Sequence, residues 1–122
     1  MLEVLHLPPE SSSPRRARQF VDEVLHRWQR DGAIERVALI ASELVTNAVF
    51  HARTQITVEL RADDGTIHLE VYDAGAGRLV FVDSEPAVPG GLGLPIVEAL
   101  ASSWGTSRRD GGGKAVWAEV RG

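Results

Sequence analysis

Residues 43–51 read Glu43-Leu44-Val45-Thr46-Asn47-Ala48-Val49-Phe50-His51, and the rest of the chain is most simply understood outward from them. Together with the residues upstream, the apolar positions are Val37, Ile40, Ala41, Leu44, Val45 and Ala48. That 3–4 spacing gathers side chains on one face of an α-helix and predicts a helix from about residue 34 to 51. Glu43 and Asn47 are four apart, so they project from nearly one face, about 6 Å apart along the axis. A carboxylate beside a carboxamide suits magnesium and phosphate chemistry. The amide oxygen can ligate a hard cation, and the carboxylate can accept a proton from a nucleophile. Taken alone, the pair reads more simply as two polar groups on a solvated helix face.

Toward the N-terminus, residues 2–7 alternate loosely, as an edge strand does. Pro8-Pro9-Glu10-Ser11-Ser12-Ser13-Pro14 is a loop in which Ser13 can cap a helix with Pro14 at its first position. Ala17, Phe20, Val21, Val24, Leu25 and Trp28 then follow at helical spacing, ending near Asp31-Gly32. Toward the C-terminus the period becomes two at Thr54. Ile56, Val58 and Leu60 alternate with polar residues, as do Ile67, Leu69 and Val71, and Asp63-Asp64-Gly65 between them signals a β-hairpin. Residues 73–90 are rich in Gly, Asp, Ser and Pro and read as a long loop. A third helix is predicted from about Leu92, with Leu94, Ile96, Val97, Leu100 and Ala101 on its apolar side. Two closing strands, about 105–109 and 115–120, flank Asp110-Gly111-Gly112-Gly113. The expected class is α+β, with helices layered on one face of a mixed, mostly antiparallel sheet.

Bulk properties narrow the function. The 122 residues suffice for one domain over 1–122, and 43% hydrophobic with 25% charged residues is ordinary for a globular chain. The absence of cysteine excludes disulfides and thiolate metal sites. With no apolar run of membrane length and no basic leader before one, the expected location is the cytoplasm and no membrane partner is expected. A net charge of −4 leaves no basic excess for nucleic acid. Among the 13 basic residues only Lys114 is a lysine.

Two further clusters carry chemistry. Asp73-Ala74-Gly75-Ala76-Gly77 directly follows the strand around Val71. An aspartate at a strand end can accept a hydrogen bond from an exocyclic amine, and the glycines let backbone approach a flat ring. The plainer alternative is a glycine-rich turn with a polar exit. Gly90-Gly91-Leu92-Gly93-Leu94 opens the third helix, where exposed N–H groups and the positive end of the helix dipole favour an anion. It is not a dinucleotide fingerprint, since Ile96 holds the third glycine position, and no P-loop is present.

In this order, over roughly residues 33–120, the clusters resemble the N, G1 and G2 boxes of the GHKL nucleotide-binding fold. Within it, Glu43 to His51 is most similar to the E-x-x-x-N-A-x-x-H pattern of the anti-sigma factor serine kinases. The resemblance implies a two-layer α/β sandwich with three main helices on one face, binding ATP and Mg²⁺. It implies that Glu43 is the general base, Asn47 the Mg²⁺ ligand and Asp73 the acceptor for the adenine amine. Gly75 and Gly77 would shape the pocket floor. Gly91, Leu92, Gly93 and Leu94 would line the phosphates, the glycines with backbone N–H groups. The implied partners are an anti-anti-sigma-type protein as substrate and a sigma factor, with a homodimer as the family's usual assembly. Two positions depart from the pattern. Pro89 and Gly90 stand where an arginine precedes the second G-x-G, leaving Arg78 as the nearest lid arginine. Lys114-Ala115 replaces the usual threonine pair.

The competing reading is a module that holds ATP, or no nucleotide, and sequesters its partner without catalysis. The catalytic half of a histidine kinase fits less well, because no helix pair with a phospho-acceptor histidine precedes the domain in this sequence. Chaperone- or topoisomerase-type ATPases need far larger transducer regions. His51, eight positions from Glu43, has drifted about 80° around the helix and is expected to cap its end or to pack. His6, His26 and His68 show no metal-ligand spacing. Trp28, Trp104 and Trp117 are expected to pack in the core or at its edge.

Overall fold

Period-two stretches become strands and 3–4 stretches become helices, because each period puts apolar side chains on a single side of its element. The computed structural model describes residues 1–75, 93–109 and 112–122. In chain order the elements are β1 (Leu2–Leu7), α1 (Ser13–Arg27), a 3₁₀ turn (Asp31–Ala33), α2 (Ile34–His51), β2 (Ile56–Asp63), β3 (Thr66–Asp73), α3 (Gly93–Leu100), β4 (Ser103–Arg109) and β5 (Gly113–Arg121). The strands form one sheet in the order β1-β2-β3-β5-β4. Each neighbouring pair among the described strands is antiparallel, in keeping with the mostly antiparallel sheet expected. The reason is connectivity: after α3 the chain enters at the far edge as β4, and β5 turns back between β4 and β3.

One face of that sheet is apolar. Ile56, Val58 and Leu60 of β2, Ile67, Leu69 and Val71 of β3, and Val116, Ala118 and Val120 of β5 are all buried there. Against them pack Val37, Ile40, Ala41, Leu44, Val45 and Ala48 of α2, the six residues of its predicted apolar face, with Ala17, Val21, Val24 and Leu25 of α1 behind. Full burial of such side chains is worth about 1.5–3 kcal/mol each, which is why periodicity decides the layering. The other sheet face carries His68 stacked on Trp117, with ring centroids 5.9 Å apart. Trp28 and Trp104 border the core, as expected, whereas Trp117 packs on this opposite face instead.

Element ends differ from expectation for local reasons. Ser12, not Ser13, is the N-cap of α1. Ser13 is buried and its hydroxyl donates to the Pro8 carbonyl at 2.6 Å, tying the loop to the first helical turn. The same helix stops at Arg27 and not near Gly32. Gln29 takes the left-handed φ of 61°, and the N–H groups of Gln29 and Arg30 donate to the carbonyls of His26 and Leu25. This is a Schellman closure made without glycine. β4 and β5 each begin two residues earlier than expected, which brings Lys114 into the sheet.

Candidate functional site

The period-two pattern on the buried sheet face does not end in apolar residues. On β3 it runs Ile67, Leu69, Val71 and then Asp73; on β5 it runs Val120, Ala118, Val116 and then Lys114. Asp73 and Lys114 are direct partners in the antiparallel register, and both are buried, at 7% and 3% exposure. The Lys114 Nζ lies 3.7 Å from Asp73 Oδ1. That is an ion-pair distance, too long for a hydrogen bond. Asp73 Oδ1 also accepts the Gly75 N–H at 2.8 Å, closing a tight turn at the strand exit, and the Ala74 N–H donates to Thr54 Oγ1 at 3.2 Å. A Cβ on Gly75 would stand 3.0 Å from the same carboxylate oxygen, so a side chain there would press on Asp73.

The last turns of α2 lie over this sheet end. Leu44, Asn47, Ala48 and His51 share with Val71, Asp73, Lys114 and Val116 a cavity of about 10 Å³, the size of one water molecule. Asn47 is 1% exposed. Its Oδ1 and Nδ2, His51 Nε2 and Lys114 Nζ are buried without a hydrogen-bond partner among the described residues. Buried polar atoms are nearly always paired in folded proteins. Four unmatched ones converge on this single cavity, so the described residues leave its polar groups without partners. The His51 imidazole titrates below its ordinary value, first because burial disfavours the charged ring and second because Lys114 repels it.

Of the site residues expected from sequence, Asn47, Asp73 and Gly75 come together here. Glu43 lies one turn back along α2 on Asn47's side, half-buried and not lining the cavity. Gly93 opens α3 and Leu94 follows it within the helix. Gly77, Gly91 and Leu92, together with Arg78, Pro89 and Gly90, lie outside the described residues. Two residues passed over in sequence are added. His51 is displaced around the helix from Glu43, but it is four positions from Asn47 and so only about 40° away from that residue. A strand starting at 115 excludes Lys114; counting back by two from Val116 finds it. Among the described residues, no three His, Asp or Glu side chains group as metal ligands. His6, His26 and His68 contact Thr57, Asp31, and Glu70 with Glu119 instead. Two larger grooves, about 400 and 380 Å³, lie beside the start of α1, and none of the expected site residues lines them.

An α+β layer in which a helix-borne amide meets a strand-end aspartate, ahead of a helix opened by glycine, defines a nucleotide-binding fold of the GHKL class. A family model described as the histidine kinase-like ATPase domain matches residues 7–120. The chain belongs to that family, whose members bind ATP, normally with Mg²⁺. Two histidine kinases of known structure share the fold. The histidine kinase AdeS of Acinetobacter baumannii superposes with a TM-score of 0.59 at 15% identity, covering 99% of this chain and 68% of that one. The histidine kinase domain of the blue-light activated histidine kinase EL346 of Erythrobacter litoralis gives 0.51 at 20% identity, covering 94% of this chain and 61% of that one. No curated protein matches the chain. No helix among the described residues is long and apolar enough to cross a membrane.

Proposed function

We propose that the chain is a cytoplasmic ATP-dependent protein serine/threonine kinase that phosphorylates an anti-anti-sigma-type protein and also engages a sigma factor. The observation that carries the reading is Asn47: a carboxamide 1% exposed, with both polar atoms unmatched, on the same helix side as Glu43 and lining one cavity with Asp73. An apolar residue would fill that position at no desolvation cost, so the amide is accounted for by a ligand. Bound Mg²⁺–ATP supplies the terminal phosphoryl group and neutralises its charge. The Asn47 carbonyl oxygen would hold the cation, a hard oxygen ligand for a hard ion, and Asp73 would accept from the adenine amine. Gly93 would present its N–H at the opening of α3. Glu43 has no hydrogen bond or ion pair among the described residues, which leaves its carboxylate available. It would take the proton from a serine hydroxyl as the new O–P bond forms and ADP departs.

The test uses labelled ATP, Mg²⁺ and candidate anti-anti-sigma proteins, with phosphoserine as the readout. Glu43→Gln is expected to keep nucleotide affinity within a few-fold while phosphorylation falls by about 10²–10⁴, the usual worth of a general base. A wild type that binds ATP yet forms no phosphoserine, with Glu43→Gln sequestering the partner equally well, would establish a second reading: a partner-sequestering module without catalysis. Two observations favour that alternative. The cavity beside Asp73 is only about 10 Å³, and Lys114 stands where the threonine pair of the kinases is expected.

A further inference from the structure

We propose that Lys114 reads the nucleotide base: its ammonium donates to ring nitrogen N1 of adenine while Asp73 accepts from the adjacent 6-amino group. This rests on the reading of the site as an ATP site and assigns the base specificity of that site. In sequence, Lys114 stands where the resemblance expects a threonine; the structure puts it beside the strand-end aspartate. It sits opposite Asp73 in the β3–β5 register, 3% exposed, with Nζ 3.7 Å from the carboxylate and no hydrogen-bond acceptor among the described residues. A buried ammonium with unmatched donors is unfavourable, and an acceptor on a bound ligand would satisfy it.

The neighbouring backbone donors are already committed, the Gly75 N–H to Asp73 Oδ1 and the Ala74 N–H to Thr54 Oγ1. Lys114 Nζ is the unmatched donor at ion-pair distance from Asp73, while Asn47 Nδ2, also unmatched, lines the same cavity from α2. An acceptor and a donor side by side are the complement of adenine, whose amine and N1 are a donor and an acceptor side by side. Guanine and hypoxanthine reverse both groups, setting a carbonyl against Asp73 and an N–H against the ammonium. A lysine that merely plugged the site would close onto the carboxylate at about 2.8 Å, the length of a charge-assisted hydrogen bond. The longer separation leaves its donors free. The cavity is smaller than a purine, so base entry must displace the four-carbon stem. Lysine's flexible stem allows that movement where arginine's planar fork would not, and this is the one lysine among 13 basic residues.

The experiment is calorimetric titration of wild type and Lys114→Met with Mg²⁺–ATP, Mg²⁺–1-deaza-ATP and Mg²⁺–GTP. Wild type is expected to bind ATP roughly ten- to a hundred-fold more tightly than 1-deaza-ATP, the worth of one charge-assisted hydrogen bond, and GTP more weakly still. In Lys114→Met, ATP affinity should drop to that of 1-deaza-ATP, and the two should bind alike. Equal binding of ATP and 1-deaza-ATP by wild type overturns the assignment, as does a Lys114→Met variant that binds ATP as tightly or more tightly. A variant that still discriminates between the two also overturns it. Should Lys114→Met fail to fold, the wild-type affinities for the three nucleotides decide alone. A wild type that binds ATP without discrimination leaves the ATP site standing and removes Lys114; one that binds no nucleotide removes both.

Discussion

His51 shows how a single residue reports on the site. Its imidazole resists protonation because burial and the Lys114 charge disfavour the cation, whereas the unfolded chain takes up that proton near the ordinary value of 6.5. The stabilisation is therefore complete above 6.5 and is lost as pH falls through the lower folded value. His26 acts in the opposite sense. The hydrogen bond that the His26 ring donates to the Asp31 carboxylate, and then the carboxylate's charge, raise the His26 value, so that contribution is present below 6.5 and lost as pH rises through the raised value. The two are separable by substitution. His51→Gln is expected to flatten the decline in melting temperature on going from pH 7 to about 5.5, leaving the His26 contribution intact. An acid-side slope identical to wild type would show that His51 does not feel Lys114 or its burial.

Among the elements, β5 is held closest to its neighbour at the site. Gly113 opens that strand, and a Cβ there would stand 2.6 Å from the Asp73 carbonyl oxygen, nearer than real Cβ contacts allow. The obstacle is backbone, so the strand itself has to move. Gly113→Ala is expected to cost about 1–3 kcal/mol of stability, the usual penalty of overpacking, and to part β5 from β3 where Lys114 meets Asp73. Urea unfolding measures it, and an unchanged midpoint would mean the two strands are not pressed together in solution. The helices end in the same economical way. Gln29 and Arg53 both take left-handed φ angles after their helices, where glycine is the common choice. This is why glycine placement misled the end of α1 by several residues.

Across the whole molecule, the end of β5 and the β2–β3 hairpin are tied to the helical layer. Arg30 donates to the carbonyls of Asp63 and Gly122, both at 2.8 Å, and Arg36 donates to that of Arg121 at 2.8 Å. These bonds hold the hairpin end of the sheet under α2, while the opposite end of the same sheet is the site. A nucleotide that binds only the folded state should therefore be felt globally. At about 100 times its dissociation constant, Mg²⁺–ATP adds roughly 2.7 kcal/mol, which for a domain of this size is an increase of several degrees in melting temperature. A scan at millimolar nucleotide that shows no shift would count against the ATP site itself.

The sequence by itself determined the layering and the order of the clusters. Helix and strand periods are properties of consecutive residues, so Val37 to Ala48 and Ile56 to Val71 declared their buried faces without any partner. Glu43 and Asn47 were legible as a pair for the same reason, being one helical turn apart. The tertiary structure alone decided which polar groups meet. Asp73 and Lys114 are 41 positions apart and belong together only because β5 turns back beside β3 in one particular register. A slip of one residue would send Lys114 to the other sheet face. His51 joined them because packing set the rotation of α2 over that sheet end. Local periodicity can say which side of an element is buried, but long-range pairing decides what shares the buried space.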